Sequence, residues 1–209
     1  MSARQFIRIS GLTSVAVATI LSGLFIAPHL RADDDNEESK IRRGFEIAPV
    51  HLNLAHKNRA LVGLGSYIVN AVGECDGCHS AGPQTQFLPG GNPYFGQPEK
   101  INPATYLGGG RDFGPFPGPA SPIHIVSRNL TPDHTGMPIG GDTFEEFKQT
   151  IRTGVDPDQL HPGLPAPFNG TLLQIMPWPA YKNMTDRDLR AIYEYLSAIP
   201  CIAGPDHVC

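Results

Sequence analysis

Cys75-Asp76-Gly77-Cys78-His79 constrains this chain more than any other stretch. Two thiols at this spacing can each add across a vinyl group of one haem, and the adjacent imidazole is then placed to take the iron. This is the C-x-x-C-H pattern of covalent haem attachment. Asp76 and Gly77 suit the short linker, because both tolerate turn conformations that β-branched residues resist. A thioredoxin-like pair does not ask for the histidine and wants a βαβ setting, which the sequence lacks. Zinc needs four closed ligands, and the other two cysteines, Cys201 and Cys209, are distant and lack that spacing. The motif occurs once, so one covalently bound haem c is the expected cofactor, with Cys75, Cys78 and His79 holding it.

The chain's 209 residues make one domain the default. Residues 1–32 read as an export signal: Arg4 and Arg8 precede an uncharged, mostly apolar run from Gly11 to Ala27, and Leu30-Arg31-Ala32 offers a weak cleavage site. A retained membrane anchor is the other reading, although the run is shorter than the ~20 residues a spanning helix prefers. Either way the body is expected outside the cytoplasm, in the periplasm or tethered to the outer face of the membrane. Losing Arg4, Arg8 and Arg31 leaves 13 basic against 20 acidic residues. That balance disfavours nucleic acid as a partner. Asp33, Asp34, Asp35, Glu37 and Glu38 crowd into one run, so residues 33–53 read as an acidic, flexible segment ahead of a domain over 54–209. In an oxidising compartment Cys201 and Cys209 read as a disulfide, with Gly204-Pro205 turning the chain between them; two free thiols are the alternative.

Glycine and proline together supply 44 residues, concentrated between 81 and 141 and between 157 and 179. Three segments escape them and read as helices. Asn58–Val72 places Ala60, Leu61, Leu64, Ile68 and Ala71 on one face and runs into the haem motif. Phe144–Arg152 has Thr143 as cap, Glu146 completing a capping box and Gly154 as stop. Asp186–Ala198 is capped by Thr185 and ended by Pro200. Residues 123–126 are the best strand candidate. The expected fold is mainly α: a few helices around a covalently bound haem, joined by long Gly/Pro-rich loops.

A c-type iron usually takes a sixth ligand from Met or His. Met176 is favoured because Met176-Pro177-Trp178-Pro179 locks it in an extended loop ahead of the last helix, with Trp178 and Tyr181 at hand to form an apolar wall. Met184 sits at the mouth of that helix and reads as a hydrophobic staple. Met137 lies in a glycine-flanked loop, and the histidines at 51, 56, 124, 134, 161 and 207 lack a comparably rigid setting.

Taken together, a helix, C-x-x-C-H, a loop-rich middle, Met-Pro-aromatic, and Met184-Thr185-Asp186-Arg187-Asp188-Leu189 leading into Ala191–Leu196 resemble a class I monohaem cytochrome c. More closely, the chain resembles bacterial cytochrome c domains associated with quinoprotein alcohol dehydrogenases. Asn129-Leu130-Thr131-Pro132-Asp133 through Gly136 resembles a block found there between the haem motif and the methionine. The resemblance implies that Cys75 and Cys78 hold haem, that His79 and Met176 are the axial ligands, and that the first and last helices cross. It departs from the compact pattern in the long span from His79 to Met176, whose aromatic-rich middle reads as a haem-covering loop, with a partner-docking platform as the alternative. The expected function is electron transfer without catalysis, as a carrier or as the cytochrome partner of a dehydrogenase, with a terminal oxidase as another redox partner. A peroxidase-like or gas-binding haem protein with an open distal site is the rival.

Overall fold

The computed structural model describes residues 27–204 together with His207 and Cys209; residues 1–26 of the expected export segment lie outside the described residues. The chain divides into two units, one ending at Ser39 and one starting at Lys40. In the first, the Ser39 hydroxyl donates to the Asn36 carbonyl at 2.8 Å.

Helix α1 is Ala27–Ile47. It stands where charge composition predicts a flexible segment. The acidic run dominates residues 33–38, but Ile41 and Phe45 follow four apart, the spacing of one helical face. Phe45, Ala48, Val50 and Leu52 pack against the main core, and Ile41 packs with Leu64 and Ile68. The packed body therefore takes in part of the segment expected to be loose.

Helix α2, Arg59–Tyr67, starts where the sequence predicts. The Asn58 side chain accepts from the backbone N–H groups of Ala60 and Leu61, satisfying two of the four donors every helix start leaves open. It continues as a π-helical turn over Ile68–Val72, and single π turns gather at functional sites. Two short helices follow, α3 at Asp76–His79 and α4 at Pro83–Gln86. The expected strand is present as β2, His124–Val126, paired antiparallel with β1, Asp112–Pro115. Gly114 hides β1 from propensity reasoning.

Helix α5, Phe144–Thr153, carries the expected Thr143/Glu146 capping box and ends on Gly154 at φ +74°. The short helix α6, Trp178–Tyr181, leads to α7, Asp186–Leu196, where Thr185 and Asp188 form a second capping box. Helices α2 and α7 cross closely. A Cβ on Gly65 would lie 1.9 Å from the Ala191 carbonyl oxygen, so only glycine permits this approach. Val62, Val69, Leu189, Tyr195 and Leu196 are buried at the crossing, joined by Phe147 and Ile151 from α5. Tyr106 and Leu107 come into the same core from the Gly/Pro-rich middle.

A buried polar chain stitches the crossing to that middle segment. Tyr106 donates to Asn70 Oδ1 at 2.6 Å, which leaves Tyr195 to donate to Tyr106 across 2.8 Å. Asn70 Nδ2 in turn donates to Tyr195 at 3.3 Å and to the Ser66 carbonyl at 2.9 Å. Cys201 and Cys209 form a disulfide. No helix among the described residues is long and apolar enough to cross a membrane.

Candidate functional site

The motif residues sit between two backbone features that composition does not reveal. Glu74 and Ala81, just outside Cys75 and Ser80, both take positive φ, at +47° and +58°. A non-glycine residue held there is uncommon, and such strain clusters at functional sites. Between them α3 turns Cys75 inward, leaving it half-buried, while Cys78 is exposed. Burial pushes the Cys75 thiol up to about 12, with Cys78 and Asp76 adding to the rise.

His79 is fixed at both ends. Its carbonyl accepts from Gly109 N–H at 2.7 Å, and its Nδ1–H donates to the Arg128 carbonyl at 2.7 Å. Burial lowers the imidazole's affinity for a proton, with the Arg128 carbonyl opposing. In the neutral ring the carbonyl holds the proton on Nδ1 and leaves the lone pair on Nε2. Asp76 is buried between the thiols; Oδ1 accepts from Leu107 N–H at 3.2 Å, and Oδ2 has no hydrogen bond of good geometry among the described residues. Burial pushes its carboxyl up to about 6.

Cys75, Cys78, His79 and Met176 all line one cavity of about 730 Å³, within the range of roughly 300–1,000 Å³ typical of cofactor sites. Its wall is mostly apolar and drawn from the π turn after α2, from α5, α7 and β2, and from the Met176 loop. Met184 and His161 line the same cavity, whereas Met137 does not and is 36% exposed. Tyr181 contributes to the wall as expected and donates to the Gly73 carbonyl at 3.1 Å. Trp178 instead lies against Gly154, where any Cβ would meet the indole at 2.2 Å, and its Nε1–H donates to the Leu173 carbonyl. The middle segment also divides its aromatics. Tyr106 and Phe87 are buried, while Tyr94 and Phe95 stand 75% and 77% exposed at the cavity rim.

No family model matches the chain. It is similar to the gluconate 2-dehydrogenase cytochrome c subunit of Pantoea cypripedii, 32% identical over 138 residues that cover 66% of this chain and 23% of that protein. It is similar as well to the alcohol dehydrogenase (quinone) cytochrome c subunit of Komagataeibacter europaeus, 31% identical over 149 residues, 70% of this chain and 24% of the relative. The fructose dehydrogenase cytochrome subunit of Gluconobacter japonicus is 28% identical over 151 residues, 71% of this chain and 23% of its own length. The chain belongs to the cytochrome c family. It spans about a quarter of the length of the relatives it matches.

Membership implies haem c as the cofactor. The residues present fit that group: two thiols, a neutral imidazole with a free Nε2 and a soft thioether all reach one apolar cavity. The cytochrome also holds a feature that sequence reading missed. Arg128 stands just ahead of the Asn129–Asp133 block and lines the cavity. Its Nη1 donates to both oxygens of Asp156 at 2.9 Å, and its Nη2 to Ile139 O, Asp142 and Asp158. No local signal marks it, because Asp142, Asp156 and Asp158 are spread over 17 positions that also hold Lys148 and Arg152.

Proposed function

We propose that this cytochrome is an exported electron carrier that holds one haem c through Cys75 and Cys78, with His79 and Met176 as axial ligands. Haem c, when bound, supplies a one-electron iron centre whose potential is raised by a methionine ligand. The observation that carries the reading is the convergence of the four residues on one apolar cavity, with the His79 Nδ1–H already committed to a carbonyl. That commitment fixes the tautomer and aims donation through Nε2. With the group bound, the thiols would anchor it, the Met176 thioether would hold the iron position a substrate would need, and the apolar wall would limit rearrangement during electron transfer. The relatives' printed names support a dehydrogenase as electron donor, with a terminal oxidase as a fitting acceptor. An N-terminal tether to the membrane's outer face accords with the apolar run at residues 11–27.

Exported protein carries one haem that survives acid–acetone extraction, read by mass spectrometry. The ferric form is low-spin with a weak near-infrared sulfur-to-iron band. Met176→Ala removes that band and lowers the potential, while Met184→Ala leaves both in place. A haem-free polypeptide refutes the attachment, and a high-spin ferric spectrum with peroxide turnover refutes the carrier role. Loss of the band in Met184→Ala instead moves the sixth ligand to Met184, the other thioether on the cavity.

A further inference from the structure

We propose that Arg128 is a positioning residue for His79: its guanidinium locks the backbone carbonyl that takes the His79 Nδ1–H, and so sets how strongly that imidazole donates. The inference rests on reading His79 as an iron ligand. The carbonyl belongs to the same residue whose side chain is the most heavily bonded cation among the described residues. Two donors on one nitrogen form a fork with Asp156, itself buried, and the other nitrogen reaches Ile139 O at 2.8 Å, Asp142 at 3.2 Å and Asp158 at 2.9 Å. The side chain is only 16% exposed.

The peptide is held from its other side as well. Gly109, at φ +68°, packs so closely that a Cβ would lie 2.6 Å from the Arg128 oxygen. The next residue, Asn129, donates to Ile202 O at 2.7 Å and accepts from Thr131 N–H and Oγ–H. Three carboxylates facing one guanidinium exceed what neutralisation needs; a surplus of acceptors instead gives direction from several sides. Fixing a carbonyl this way keeps the Nδ1–H···O bond at 2.7 Å. A firm bond there raises the basicity of Nε2 and favours ferric iron. A slack one makes the imidazole a poorer donor.

Charge and position separate cleanly. Lysine keeps the positive charge at 128 but cannot form the planar fork. In exported holoprotein, Arg128→Lys therefore raises the reduction potential and speeds exchange of the His79 Nδ1 proton on the order of tenfold by ¹H NMR, the cost of about one weakened hydrogen bond. Arg128→Met leaves three carboxylates uncompensated, which pulls the potential down while proton exchange still quickens. If Arg128 acted through charge alone, Lys would change neither readout, and that outcome overturns the proposal. Should Arg128→Lys give no folded holoprotein, Asp158→Asn decides, since Asp158 is 69% exposed and tolerant of change. Faster Nδ1 exchange supports the clamp; unchanged exchange refutes it. Protein without covalent haem, or without an iron-bound His79, fails the underlying reading instead, and haem content with the His79 resonance tells the two apart.

Discussion

Asp142 is a half-buried carboxylate beside Arg128, with three further acidic groups near it. Burial comes first in pushing it up to about 6; Arg128 pulls it down, and Asp156, Asp158 and Glu146 push it further up. A folded value above the ordinary one means the folded state holds more protons between about 4 and 6, so this group's contribution favours folding at the acid side and is lost as pH rises through 6. Redox behaviour follows the same proton. Below pH 6 the cluster of three aspartates and one arginine sheds a negative charge, ferric iron is less favoured, and the potential rises. Potentiometry of the holoprotein between pH 5 and 7 should show that slope, and Asp142→Asn should flatten it. None of this was readable from composition. The aspartates at 142, 156 and 158 are unremarkable along the chain, and only the fold brings Arg128 into their midst.

Helices were legible where their ends are written locally. Asn58, Thr143 and Thr185 each cap the helix that follows, and Gly154 stops α5, because these residues satisfy or release backbone groups within four positions. The spacing of Cys75, Cys78 and His79 announced the site for the same local reason. Hidden were the features set by distant partners: β1 pairing with β2 across residues 116–123, α1 laying Phe45 on the core, and the division of the middle aromatics into buried and rim positions. Gly65 belongs with these, a glycine mid-helix whose purpose appears only when α7 arrives. Gly65→Ala gains a little helix propensity but forces the crossing apart, for a net loss near the upper end of the about 1–3 kcal/mol typical of overpacking. Chemical denaturation of the holoprotein measures it, and unchanged stability would show that the helices do not approach as described.

At the scale of the whole molecule, the Cys201–Cys209 disulfide closes a loop whose residues hold the Asn129–Asp133 block. Ile202 N–H donates to Thr131 Oγ, and the buried His207 side chain bonds Pro132 O at 2.8 Å. Replacing both cysteines by serine should cost about 2–3 kcal/mol from loop entropy alone, and peptide mapping without reduction should find the bridge in the parent.

The crossing of α2 with α7 also imposes an order in time. The chain must make residues 59–67 more than a hundred positions before it can supply the helix that packs on them, and pairings so remote in sequence form slowly. Before the core packs, Cys75 lacks the burial that pushes its thiol up to about 12, so its thiolate is easier to reach. On the proposed attachment through these thiols, the reaction belongs to the open chain and the packing of the final helix comes afterwards. Leu189→Ala, which empties a fully buried position in that helix, should lower stability by about 2–5 kcal/mol while leaving the yield of attached haem unchanged in pulse-labelled cells. Attachment that fell in step with stability would mean that the helix must pack first.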